Sequence, residues 1–136
     1  MPGIKDWLRK ASNDLIVAKM SSSNEEVGDV TVYLAHQCAE KALKTYLVFC
    51  KKPVLKSHDL EKILEECAQA DSSFKTLENE ALFLNPYGVY SRYPDDRFFV
   101  DQEDIKQAIS MANKILNFVE KKVTALPKNN LPLFEK

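Results

Sequence analysis

The stretch from Asp101 to Pro127, DQEDIKQAISMANKILNFVEKKVTALP, decides the fold. Its apolar residues recur at steps of three and four for about six turns, which is typical of one buried helix face. Those residues are Ile105, Ala108, Ile109, Ala112, Ile115, Leu116, Val119, Val123 and Leu126. Asp101 is a good N-cap, and Pro127 is predicted to end the helix. A helix with so long an apolar face needs other helices to cover it.

Four more helices are predicted upstream. Residues 4–20 and 27–52 form the long ones, and the second has a broad, alanine-rich apolar face that ends before Pro53. Shorter helices are predicted after Asp59 and over residues 72–84. No segment shows the sustained alternation of a β-strand. The sequence therefore predicts an all-α protein, an up-and-down bundle of about five helices, three of them long.

The length of 136 residues fits one domain, which we place at residues 1–126, with residues 127–136 as a flexible C-terminal tail. No apolar run could span a bilayer, and the N-terminus shows no signal-peptide segment, so we expect a cytoplasmic protein. Three cysteines without a CxxC pair, beside only two histidines, predict reduced thiols, no metal site and no cofactor.

The charge is nearly balanced, at −1 overall, so no global polycation is present to hold nucleic acid. The local distribution is uneven, because the stretch from Lys41 to His58 holds five lysines and no acidic residue. This stretch is either a cationic binding surface or a set of lysines that complement the dipole at a helix C-terminus.

Two groups of residues could carry chemistry. The first is a polar strip on the second predicted helix, formed by His36, Gln37, Glu40, Lys41 and Lys44. Members four residues apart share one side of a helix. The strip is either a solvated helix face with a Glu40–Lys44 ion pair or part of a groove that holds phosphate and ribose oxygens.

The second group is the segment YSRYPD, residues 90–95. Its Arg92 can grip a phosphate with two parallel hydrogen bonds, and Tyr93 can stack on a base. In the competing interpretation Arg92 forms a salt bridge with Asp95 or Asp96 and braces the loop. Neither group contains a phosphate-binding glycine loop or a nucleophile–histidine arrangement recognisable from spacing, and we assign no catalytic residue.

Together these motifs resemble the HEPN family, small helical domains named for nucleotide binding in higher eukaryotes and prokaryotes. The resemblance covers about residues 5–126. It rests on four segments in order, which are Trp7-Leu8 with Asp14-Leu15, His36-Gln37 with Glu40-Lys41-Ala42-Leu43-Lys44, His58-Asp59-Leu60, and Ser91-Arg92-Tyr93-Pro94-Asp95.

The resemblance implies a cytoplasmic homodimer, often encoded beside a minimal nucleotidyltransferase. Many family members are ribonucleases of toxin–antitoxin or defence systems, which carry an Arg, then four to six variable residues, then a His. That motif is missing here, because no His follows Arg92. We therefore expect a non-catalytic domain that binds a nucleotide or an RNA phosphate through His36, Gln37, Glu40, Lys41, Lys44, Arg92, Tyr93 and Asp95.

Two alternatives stay open. One is a metal-independent RNase toxin that uses Arg92 with His36 or His58. The other is a helical interaction module without a small ligand. For the homodimer, we expect either the last helix or the second helix, with its broad apolar face, at the interface.

Overall fold

The computed structural model describes residues 2–89, 94 and 99–130, with side chains described as far as residue 124. These residues form five α-helices and contain no β-strand, which confirms the predicted all-α fold. The helices are α1 (Ile4–Met20), α2 (Gly28–Phe49), α3 (Leu60–Ala70), α4 (Glu78–Leu84) and α5 (Gln102–Asn130). Short 3₁₀ segments at Glu25–Val27, Ser72–Leu77 and Asn85–Gly88 flank α2 and α4.

Helix α2 is the centre of the bundle. It packs against α1 and α5 along most of its length and also contacts α3, α4 and the 3₁₀ turn that follows α4. Its alanines Ala35, Ala39 and Ala42 are fully buried, which allows the neighbouring helices to approach closely. The broad apolar face predicted for α2 is thus covered within one chain, and little of it is left for a second copy.

The start of α3 is fixed from two directions. The Asp59 carboxylate caps the helix by accepting hydrogen bonds from the backbone N–H groups of Glu61 and Lys62. Asn85, just after α4, accepts from the Leu60 N–H at 2.8 Å and donates to Asp59 at 3.0 Å. The segment before α3 is therefore held against the turn after α4.

Three helix ends differ from the sequence prediction, and the first is the start of α4 at Glu78, since residues Ser72–Leu77 form a 3₁₀ segment. Helix α2 ends at Phe49, three residues early, because Lys51 adopts a left-handed backbone conformation with φ 59°. The N–H groups of Lys51 and Lys52 then bond back to the carbonyls of Val48 and Leu47, which is the Schellman pattern.

At the other end of the chain, α5 continues past Pro127 to Asn130. A proline removes one backbone hydrogen bond and can bend a helix without ending it, and the predicted stop was therefore wrong. The boundary between domain and tail at residue 126 stays a prediction.

The three cysteines are free thiols, and two of them are buried, Cys38 on α2 and Cys67 on α3. Burial raises the pKa of both Cys38 and Cys67 to about 12. The Cys67 thiol donates to the Leu43 carbonyl at 3.3 Å, which ties α3 to α2. Cys50, directly after α2, is only half-buried. In the described part of the chain, no helix has an apolar stretch that could cross a membrane.

Candidate functional site

The predicted polar strip of α2 centres on a buried carboxylate. The side chain of Glu40 is only 5% exposed, and the Lys44 ammonium donates to its Oε2 at 2.9 Å. His58 Nδ1 lies 3.1 Å from both oxygens of the same carboxylate. Because Glu40 and Lys44 are buried, the interpretation of a solvated ion pair is wrong for these two residues. A buried charge requires this kind of pairing.

His36 is the structural member of the network. Its ring is fully buried, and its Nε2 lies 3.1 Å from the His58 carbonyl, so Nε2 carries the proton. The Gln37 side-chain amide lies 3.3 Å from Nδ1. Burial lowers the pKa of His36, although the nearby Glu40 opposes this effect, so the ring is neutral at neutral pH.

Gly88 closes over the His36 ring from the turn after α4. A Cβ atom at this position would lie 2.8 Å from Cδ2 of the ring and closer still to Nε2 and Cε1. The glycine is therefore required for close approach of the backbone to His36. This contact holds the end of α4 against α2.

His58 belongs to the same network but faces outwards. Its side chain is 63% exposed, although its Nδ1 is fixed by Glu40. A carboxylate on one ring nitrogen fixes the tautomer and the ring orientation. Nε2 is thereby left as the nitrogen that can meet a ligand.

A cavity of about 500 Å³ lies beside His58. Its volume falls in the range of small-molecule sites. The lining residues are Ser57, His58, Asp59, Leu82, Asn85, Pro86 and Val89, so polar and apolar groups both face the space.

Two of the polar lining groups are partly engaged within the protein. Ser57 Oγ accepts from the Asp59 N–H at 3.0 Å, so its hydroxyl proton can be donated elsewhere. Burial of Asp59 acts to raise its pKa, but hydrogen bonds from Asn85 and the start of α3 outweigh this effect and lower the pKa. The cavity therefore holds a carboxylate, a hydroxyl and an imidazole nitrogen.

The structure brings together His36, Gln37, Glu40 and Lys44 of the predicted site, but Lys41 turns elsewhere. Its ammonium donates to Asp14 of α1 at 2.7 Å. Arg92, Tyr93 and Asp95 lie outside the described residues.

Ser57, Asp59 and Asn85 were not predicted as site residues. His58 was named only for the RNase alternative and, with Asp59, as the start of a helix. The signal available in the sequence was the lone histidine directly before an N-cap aspartate. Its contact with Glu40, 18 residues away, could not be read from local spacing.

A family model for the HEPN domain matches residues 4–122. The chain belongs to the HEPN domain family. Two solved structures are similar to this HEPN domain over nearly its whole length. The crystal structure of ST0689, an archaeal HEPN homologue, is 27% identical with a TM-score of 0.75, and it covers 91% of this chain and 100% of its own.

The second structure is TT1696 from Thermus thermophilus. It is 26% identical with a TM-score of 0.76, and the match covers 90% of this HEPN domain and 99% of that chain. None of the curated proteins compared with this HEPN domain matches it. The comparisons therefore show the family and its helical fold.

Proposed function

We propose that this HEPN domain binds a nucleotide or an RNA phosphate in the cavity beside His58, without cleaving it. We further propose that it acts as a homodimer and partners a minimal nucleotidyltransferase. One observation carries the binding proposal: the buried Glu40 fixes an exposed His58 at the wall of a cavity of about 500 Å³. An imidazole fixed in this way loses little entropy when it bonds to a ligand oxygen.

The lining of the cavity suits the parts of a nucleotide. The Ser57 hydroxyl can donate to a phosphate oxygen, and His58 Nε2 and the Asp59 carboxylate can each accept from a ribose hydroxyl. The apolar side chains of Leu82, Pro86 and Val89 offer a surface for a base. The ion pair with Lys44 offsets the charge of Glu40, which would otherwise repel a phosphate.

Arg92 is the proposed second phosphate ligand, and Tyr93 and Asp95 follow it. Consecutive Cα atoms are about 3.8 Å apart, so the Cα of Arg92 is within about 11 Å of the Cα of Val89 at the cavity. Within this proposal His36, Gln37, Glu40 and Lys44 position His58. Lys41 ties α2 to α1, so Arg92 acts with His58 and not with Lys41.

Calorimetric titration with a panel of nucleotides tests the binding. A charge-assisted hydrogen bond contributes about 1.5–3 kcal/mol, so Arg92→Ala should weaken binding by roughly 10- to 150-fold. His58→Ala should also weaken it. Lys41→Ala is the matched control, because this lysine is bound to Asp14. The Lys41→Ala variant should bind nucleotides with the affinity of the wild type.

Equal nucleotide affinity of the wild type and His58→Ala would show that the cavity beside His58 is not the binding site. Absence of binding to every nucleotide and to RNA would favour the alternative of a helical interaction module without a small ligand. A lower melting temperature of Arg92→Ala with unchanged affinity would support the bracing role for Arg92.

An RNase is the second candidate function, and one observation favours it. A buried carboxylate that holds Nδ1 of an exposed histidine is the pairing that orients a general base in hydrolases. His36 cannot serve as this base, because its ring is buried and its Nε2 is bound to a carbonyl. If the wild type cleaves a model RNA and His58→Ala does not, this candidate replaces the non-catalytic one.

For the homodimer we propose the exposed apolar side chains near the end of α1 and the start of α2, which are Ile16, Val17, Met20 and Val30. Met20 is the most exposed of them, at 77%. Met20→Glu should shift sedimentation from dimer to monomer, because it places a charge in an apolar interface. Lys10→Glu, an exposed change on the same helix, should leave the dimer intact. A monomeric wild type at tens of micromolar contradicts the dimer.

A further inference from the structure

One side of α5 carries three lysines, and the acidic residues nearest to them in the sequence are Glu103, Asp104 and Glu120. Between Ile105 and Val119 the chain has no Asp or Glu. With Glu103 one turn before them, six polar side chains of α5 between Lys106 and Lys121 fall within an arc of about 100°, in a row about 22 Å long. These residues, here called the α5 lysine face, are Lys106, Ser110, Asn113, Lys114, Asn117 and Lys121.

Two shallow cavities lie along the α5 lysine face. One of about 420 Å³ includes Lys114 and Lys121, and one of about 300 Å³ includes Lys106 and extends to Lys19 at the end of α1. Both are lined by Ser110 and Asn113, so they adjoin. The face is therefore a continuous concave track with lysines at intervals.

Most of this charge is not neutralised within the part of the chain that the structure describes. Within the described residues no carboxylate lies at ion-pair distance from Lys106 or Lys121, whereas Lys41, Lys52 and Lys122 each have one. Lys114 is paired with Glu80 at 2.8 Å, but its side chain stays 59% exposed. The face retains a net positive charge on a chain whose total charge is −1.

From this arrangement we propose that the α5 lysine face binds the sugar–phosphate backbone of a nucleic-acid strand, at a site separate from the cavity beside His58. Lysine ammonium, amide and hydroxyl groups contact phosphate and sugar oxygens and carry no base readout. Phe118 lines the larger cavity, but its ring is half-buried against Phe74 and offers little surface for a base, so we expect binding here to be independent of sequence.

A second copy of the chain fits this face poorly. An antiparallel pairing of two α5 helices about a two-fold axis near Asn113 would bring Lys106 of one copy close to Lys121 of the other. A parallel pairing would set each lysine against itself. Like charges that face each other oppose association, whereas a phosphate backbone complements the whole row.

Fluorescence anisotropy with a labelled oligouridine, titrated between 50 and 200 mM salt, tests this proposal. Each phosphate contact contributes about −0.7 to the slope of log affinity against log salt for a single strand. Three lysines therefore predict a slope of about −2 for the wild type. The double variant Lys106→Gln/Lys121→Gln should reduce it to about −0.7 and weaken binding at low salt.

Lys62→Gln/Lys75→Gln is the matched control, since it removes two exposed lysines from α3 and the segment before α4. It should keep the wild-type slope. A duplex arm shows whether the backbone bound is single- or double-stranded, with about −0.9 per contact for the duplex. Binding to neither form, or an equal slope change in the control, overturns the proposal.

Two further measurements separate this proposal from its rivals. The Lys106→Gln/Lys121→Gln variant should bind mononucleotides as the wild type does, whereas His58→Ala should keep the salt slope for oligouridine. A failure at one site is thereby distinguished from a failure at the other. If the double variant alters sedimentation but not oligouridine binding, a second copy covers the face and the proposal is wrong.

Discussion

His36 and His58 belong to one hydrogen-bonded network, yet they occupy opposite environments. His36 is fully buried between α2 and Gly88, and its Nε2 is committed to a backbone carbonyl. His58 shares Glu40 with the buried side but is 63% exposed beside a cavity. A histidine can therefore stabilise the fold, as His36 does, or be available to a ligand, as His58 is. The buried Glu40 carboxylate connects the two residues.

The largest expected effect comes from Glu40→Gln. This change leaves the buried Lys44 without a carboxylate, and breaking a buried pair in this way costs about 3–5 kcal/mol of the free energy of unfolding. Urea denaturation should show a much lower midpoint. The control is Glu65→Gln, a change at an exposed position. An equally small loss of unfolding free energy in both variants would contradict the role of Glu40 as a buried partner of Lys44.

A companion variant sharpens this result. Glu40→Leu combined with Lys44→Met removes both buried charges and replaces them with apolar groups. It should recover most of the stability lost in Glu40→Gln, because an apolar pair needs no desolvated partner. It also leaves His58 without its carboxylate, so nucleotide affinity should stay low while stability returns.

The second effect is that of Gly88→Ala. The new methyl group would overlap the His36 ring, and overpacking of this kind costs about 1–3 kcal/mol. We expect a lower thermal midpoint. Gly3→Ala is the control, because no heavy atom lies within 4 Å of a Cβ atom there. Identical midpoints for the two variants would show that the turn does not close on His36.

The third effect concerns pH. Burial lowers the pKa of His36, so the unfolded chain takes up the proton at a higher pH than the folded one. The stability from this group is present above the unfolded value of 6.5 and is lost as the pH falls through the folded pKa. One proton gives a slope of at most about 1.4 kcal/mol per pH unit.

Unfolding curves recorded at a series of pH values below 6.5 provide this measurement. His36→Gln keeps a donor for the His58 carbonyl but cannot titrate, so its stability should fall less steeply with acid than that of the wild type. Parallel pH curves would mean that His36 is protonated as easily in the folded chain as in the unfolded one.

The smallest effect, of opposite sign, is expected for Lys51→Gly. Lys51 holds a left-handed conformation that costs a residue with a Cβ about 1–2 kcal/mol, and glycine avoids that cost. Its greater freedom in the unfolded chain offsets part of the gain, so we expect a stabilisation of about 1 kcal/mol or less. Because Lys51 contacts neither histidine in this network, the pH dependence of stability should stay that of the wild type.

The sequence predicted most of the fold because local signals and the packing agreed. The first helix was predicted over residues 4–20, as observed, and Asp59 and Asp101 are the residues that cap α3 and α5. Lys51 could not be foreseen as a helix end, since only the tertiary course of the chain forces a lysine into a left-handed conformation. Pro127 was wrongly predicted to end α5, because a proline does not always stop a long helix.

The site was harder to predict than the fold. Spacing placed His36, Glu40 and Lys44 on one helix side, and they do share one network. Whether that side faces water depends on the segment before α3 and the turn after α4 that cover it. Their placement follows from contacts between Glu40 and His58 and between His36 and Gly88, which no periodic pattern encodes.

The rates at which the buried thiols are modified can report how fast individual helices open. Cys67 is covered by the contact of α3 with α2, and Cys38 lies near Asp14, where α1 meets α2. A thiolate reacts with alkylating agents, whereas a buried thiol of raised pKa does not. Cys50 should therefore be modified in the native protein at once, and the delay before each remaining cysteine reacts gives the opening rate of a different helix, without any label being introduced.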